Sequence, residues 1–223
     1  MEFTAVDVAK DPAGMDELRA LGALMVPVVA VGGRWVPGGV LDEVAKFLGL
    51  EQIAHPMLAP DVLSVKLDEV MAAAQRYILA FPRAKMGMTV PGREKRDMRE
   101  LSYHIFAIPI DFITVKDGEH YTQGNKPIPE SVQTPEQIAA YGDEARRTMK
   151  EWFAAQPDAT WNRMLSTSYG NQNIHHYFER STWHAAQHVR QLAAMLEMAD
   201  GQVPDKLPES FFEGLPLPER LWE

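Results

Sequence analysis

Trp183-His184-Ala185-Ala186-Gln187-His188-Val189-Arg190-Gln191-Leu192 is the stretch on which the fold turns. Two histidines stand four residues apart, so on a helix they project from one face, one turn from each other. Extending the register gives Tyr177, Ser181, His184, His188, Leu192, Met195 and Ala199 at spacings of three and four. That is a mainly apolar stripe, the signature of a helix facing a core. Two unpaired imidazoles in such a core are costly. A metal ion removes the cost by taking a lone pair from each ring. The spacing alone also fits a solvated pair, or buried rings satisfied by hydrogen bonds.

Working outward, the segment from Asp61 onward reads as helices without a convincing strand. Val62 to Leu79 is amphipathic and ends at Phe81-Pro82. Arg93 to Val115 reads as a second helix, with Pro109 a site for a bend and Asp117-Gly118 a stop. Thr134-Pro135-Glu136-Gln137 is a strong helix start, with Thr as N-cap, Pro at the first helical position and Gln at the capping-box position. That third helix runs to about Ala155. A fourth runs from about Asn173 to Ala199, closed by Asp200-Gly201. Four long helices over residues 61–200 predict a bundle. Within the second helix, Leu101, His104, Ile105 and Ile108 share a stripe, so His104 also points inward. Three inward imidazoles on two helices make a facial nitrogen set with open positions, the layout of a catalytic rather than a structural metal site. His175 and His176 sit at a helix start, His55 in a linker and His120 in a loop, where polar side chains are usually solvated.

Leu101-Ser102-Tyr103-His104 together with the 183–192 stretch resembles the DinB-like family of metal-binding four-helix bundles, over roughly residues 60–200. The resemblance implies Zn²⁺, or alternatively Ni²⁺, held by His104, His184 and His188. Several branches of that family are transferases or isomerases that use a low-molecular-weight thiol of the host; others have no known activity, so fold alone does not fix function.

Residues 1–50 differ in kind. Phe3 to Val8 alternate as a strand would, Met15 to Leu21 suit a short helix, and Val26 to Val31 form a β-branched run. Gly32-Gly33 turns the chain into Arg34-Trp35-Val36, and a last helix follows Gly38-Gly39. The expected order is β-α-β-β-α in about 50 residues, small for an independent core. This piece resembles the second half of a glutaredoxin: Val26-Pro27-Val28-Val29 matches its cis-proline loop, and Gly38-Gly39-Val40-Leu41-Asp42-Glu43 the start of its last helix. The Cys motif, first strand and first helix of that family are missing. The resemblance implies a glutathione contact at Val26, Pro27 and the Gly39 to Asp42 helix start, or else a structural relic. Residues 51–60 read as a linker. The tail, 201–223, is apolar and rich in proline, and packs on a helix or on a second copy in a homodimer. The expected class is therefore α+β: a partial thioredoxin/glutaredoxin-like segment followed by an all-α DinB-like bundle.

Composition limits the functions available. The formal net charge of -9 disfavours nucleic acid as a partner. No apolar run approaches the roughly 20 residues of a membrane span, and no signal peptide is legible, so the expectation is a cytoplasmic protein with no membrane partner. There is no cysteine, which removes disulfides and a protein thiol nucleophile. Thiol chemistry would need an external thiol. The leading expectation is a metal-dependent enzyme that activates such a thiol, glutathione for one, toward a small electrophile. The alternatives are a hydrolase using metal-bound water and a non-catalytic metal-stabilised module. Arg190 is a candidate for a thiol or substrate carboxylate, although a helix-surface salt bridge is its plainer role. Tyr103 and Tyr177 could orient a ligand or simply fill the core.

Overall fold

Local chemistry sets where the elements begin. In the computed structural model, which describes residues 2–23, 26–39, 41–50, 56–114, 127–167 and 170–222, two compact units emerge. One comprises Met1–Ala54 with Ser166–Gln172, the other His55–Leu165 with Asn173–Glu223.

In the smaller unit, the Asp11 carboxylate caps α1 (Pro12–Ala20) by accepting from Ala13 N–H at 3.0 Å. Strands β1 (Val28–Val31) and β2 (Arg34–Pro37) pair antiparallel, Val28 opposite Pro37 and Val31 opposite Arg34. Gly32 and Gly33 both take positive φ, as a tight two-residue hairpin turn requires. The Val26–Pro27 peptide is cis, and Gly38 N–H donates to Pro27 O at 2.8 Å. Helix α2 (Leu41–Phe47) follows. Residues 3–8 do not form the expected strand, and Phe3 is 85% exposed. Alternation specifies a strand only where a neighbour offers a ladder, and among the described residues β1 and β2 pair only with each other. The order observed here is therefore α-β-β-α.

The larger unit is built on four long helices. Helix α3 (Pro60–Ala80) buries Leu63, Leu67, Val70, Met71, Tyr77 and Ile78. A short antiparallel pair, β3 (Thr89–Val90) and β4 (Arg93–Asp97), leads into α4 (Met98–Ile113). The expected helix thus starts five residues later than Arg93. Gly92 at φ 72° reverses the chain, and Asp97 forms a reciprocal capping box with Glu100 that fixes the start at Met98. The expected helix end at Val115 and the Asp117-Gly118 stop lie outside the described residues, as do His55 and His120. Helix α5 (Pro135–Ala154) begins with the Thr134/Gln137 capping box. A further strand pair, β5 (Met164–Thr167) and β6 (Gly170–Asn173), whose residues 166–167 and 170–172 are assigned to the smaller unit, stands where no strand was expected. Helix α6 (Ile174–Met198) follows, capped by the Asn173 side chain.

Each of α3 and α4 packs on both α5 and α6, so the order around the ring is α3, α6, α4, α5. Arg146 of α5 fastens α3: its guanidinium donates to both Asp68 carboxylate oxygens at 2.8 and 3.0 Å and to Gln75 Oε1 at 3.0 Å. The tail lies on α3 and α6. Phe212 and Leu215 are buried, and Leu207 N–H donates to the Tyr77 hydroxyl at 2.9 Å. Among the described residues helices dominate and strands occur only as three short pairs, an α+β composition. Among the described residues no helix is long and apolar enough to cross a membrane.

Candidate metal centre

The adjacency of α4 and α6 brings His104 against His184 and His188. One nitrogen of each ring lies within 4.8 Å of the others, a group that could hold a metal ion. The ring centroids are 5.4 Å apart for His104–His184, 5.1 Å for His104–His188 and 4.7 Å for His184–His188. His184 Nε2 and His188 Nε2 stand 3.1 Å apart. Two nitrogens bound at about 2.0–2.1 Å would be about 2.9 Å apart at a right angle and about 3.4 Å apart at the tetrahedral angle. The observed edge falls between those limits, so this pair fits one shared ion.

Electrostatics favour neutral rings. Burial pushes His104 down to about 3, helped by the positive charge of nearby groups including Arg96. Burial likewise takes His188 down to about 4, although its hydrogen bond to Gln191 works in the opposite direction. His184 is held well below the usual histidine range by burial first, then by its neighbours. All three therefore keep lone pairs for a cation near neutral pH. His184 is only half-buried as a residue, but its Nδ1 is sealed from solvent and has no hydrogen-bond partner among the described residues. If His184 donates Nε2–H to His188, its Nδ1 is left as an unmet acceptor. If His188 donates instead, His184 Nδ1 is left as an unmet donor, and if neither donates, two lone pairs face each other at 3.1 Å, which a cation between them would relieve.

No family model matches this chain, and no curated protein matches it either.

The remaining sequence candidates fall elsewhere. Val26, Pro27 and Gly39 belong to the smaller unit. Arg190 does not join the histidine group: its Nη1 donates to Gln187 Oε1 at 2.8 Å and to Pro218 O at 3.3 Å, and its guanidinium lies over Phe212. Tyr177 is a core residue packed on Phe112, and Tyr103 stacks on Tyr141 at 4.8 Å. His175 is tied to Leu58 O through Nε2 at 2.7 Å. The basic run at Arg93 to Arg99 is divided between two roles. Arg99 pairs with Asp97, while Arg96 bears electrostatically on all three histidines. Sequence reading missed Gln191, whose Oε1 meets His188 Nδ1 at 2.7 Å. Its signal was a glutamine at i+3 from a histidine on a buried helix face.

Proposed function

We propose that His104, His184 and His188 hold one divalent ion, zinc first and nickel second, in a DinB-like four-helix bundle that activates an external thiol against a small electrophile. The observation that carries this reading is the convergence of three neutral imidazoles from two neighbouring helices. They would fill one face of the ion and leave the other open to ligand. A bound divalent ion lowers the pKa of a coordinated thiol and so favours the nucleophilic thiolate.

The chain's own groups prepare that chemistry. Burial keeps the three rings unprotonated, so protons do not compete for the site near neutral pH. The charge of Arg96 opposes protonation of the rings and by the same sign favours an anionic sulfur beside them. With no cysteine in the chain, the thiol must be external, and glutathione is the natural first probe.

The test is spectroscopic and kinetic. Cobalt-substituted protein titrated with glutathione should develop a sulfur-to-metal charge-transfer band in the near ultraviolet, and turnover of an electrophile should require both metal and thiol. Thiol-independent turnover, or no band at millimolar glutathione, would reject the thiol role.

A further inference from the structure

The strongest unassigned feature is a run of hydrogen bonds from the C-terminal tail to His188. Leu221 O accepts from Gln191 Nε2 at 2.9 Å and from Gln187 Nε2 at 2.8 Å. Gln187 also donates to Arg220 O at 3.2 Å, and Arg190 to Pro218 O. The tail is thus strapped along α6 by three successive polar side chains, two of them buried glutamines.

Each link forces the next. A backbone carbonyl can only accept, so the Gln191 NH₂ must face Leu221 O. Its Oε1 must then face His188 Nδ1, at 2.7 Å. An amide oxygen can only accept, so Nδ1 must carry the proton. The lone pair of His188 is then confined to Nε2, the atom 3.1 Å from His184 Nε2. With His188 and Gln191 both less than one-tenth exposed, water has little access to supply an alternative partner.

We propose that Gln191 is a positioning residue: held by the Leu221 carbonyl of the tail, it fixes His188 as the Nδ1–H tautomer and aims Nε2 at the metal position. The inference rests on the metal-site reading above, but the tautomer can be read without metal. A ligand ring that must first change tautomer or turn binds more weakly, and loss of such an orienting partner typically costs about 10–100-fold in metal affinity.

The experiment uses the full-length, ¹⁵N-labelled, metal-free protein, with long-range proton–nitrogen spectra to show which nitrogen of His188 is protonated. Zinc affinity is measured in parallel by competition with a chelator. Wild type should show Nδ1–H. Gln191→Met, close in volume but without the amide acceptor, should populate Nε2–H and bind zinc about 10–100-fold more weakly. Gln191→Glu keeps an acceptor for Nδ1–H but loses the donor to Leu221 O, so it should retain the tautomer while binding zinc more weakly than wild type. A chain ending at Leu217 keeps Gln191 but frees its amide to turn, and should show mixed tautomers; this variant carries the test if Gln191→Met fails to fold. Persistence of pure Nδ1–H in both Gln191→Met and the shortened chain would overturn the proposal. So would the same shift to Nε2–H in Gln191→Glu as in Gln191→Met, which would show that an acceptor at this position does not set the tautomer. If wild type takes no zinc while the tautomer still switches in Gln191→Met, the metal reading fails and the positioning role stands.

Discussion

At the scale of single residues, three histidines carry the functional argument, and their removal gives the most direct check. Changing His104, His184 or His188 to Ala leaves at most two nitrogens on the site, so each variant should lose most of its bound metal on purification. Metal content measured by mass spectrometry decides this, and full occupancy in all three variants would defeat the assignment. Protons give a second check on the metal-free protein. An unfolded histidine titrates near 6.5, whereas in the folded state burial takes His104 to about 3 and His188 to about 4, with His184 also lowered. Below about 6.5 the unfolded chain binds more protons than the folded one, so stability falls with pH until the folded rings titrate too. Each ring contributes a slope approaching about 1.4 kcal/mol per pH unit inside that window. Urea unfolding of chelated wild type should therefore weaken between pH 6.5 and 4.5 more steeply than that of the triple His→Gln variant. Equal slopes would show that the rings are not buried together. The histidines were legible because apolar periodicity says which way a helical side chain points. Gln191 was not, because its other partner is a backbone carbonyl thirty positions on, in a proline-rich tail with no periodicity to read.

At the scale of elements, the chain's clearest signals were caps. Thr134 to Gln137 forms the capping box its residues announce. The same chemistry at Asp97 and Glu100 was equally available in the sequence, yet the preceding Arg93 to Arg96 was absorbed into the helix because charged residues suit exposed helix positions well. The β5–β6 hairpin contains Gly170 and Asn171 and lacks a β-branched run, so propensity gave no reason to expect strands there. Packing can also reverse propensity, and Gly142 in α5 is the case to test. Replacing a helical glycine with alanine ordinarily gains about 1 kcal/mol. Here the added Cβ would sit 2.7 and 2.8 Å from Phe106 Cε1 and Cζ and 3.0 Å from Gln75 Cγ. Phe106 is fully buried and meets Tyr141 edge-on, so it has little room to withdraw. Overpacking of this kind costs about 1–3 kcal/mol, which outweighs the propensity gain. Gly142→Ala should lower the urea midpoint, by about 1 kcal/mol in net stability. An unchanged or raised midpoint would mean that the α4–α5 interface is looser than these distances imply.

At the scale of the whole molecule, the two units are unequally equipped to stand alone. The larger unit contains all three histidines, Gln191 and the tail segment that holds it, together with the continuous apolar core of α3 to α6. In the smaller, the described residues of the 1–54 stretch form one two-stranded sheet and two short helices. Among its described apolar residues only Leu18 and Ala23 are buried. A lone hairpin is marginal in water, and three strands or a substantial packed helix face are usually needed for independent stability. The smaller unit also includes residues 166–172, which a fragment cut at residue 54 lacks. Two outcomes are expected. A chain of residues 55–223 should fold cooperatively and bind the metal with the same stoichiometry as the intact protein, since every ligand and every orienting hydrogen bond lies within it. The peptide of residues 1–54 should give poorly dispersed amide proton signals. Separate expression of the two pieces, with metal analysis of the first and a proton–nitrogen spectrum of the second, tests both. Loss of metal from the 55–223 chain would place a determinant of the site in the first 54 residues. A well-dispersed spectrum from a monomeric 1–54 peptide would show that two strands and two helices suffice, against the burial argument made from Leu18 and Ala23.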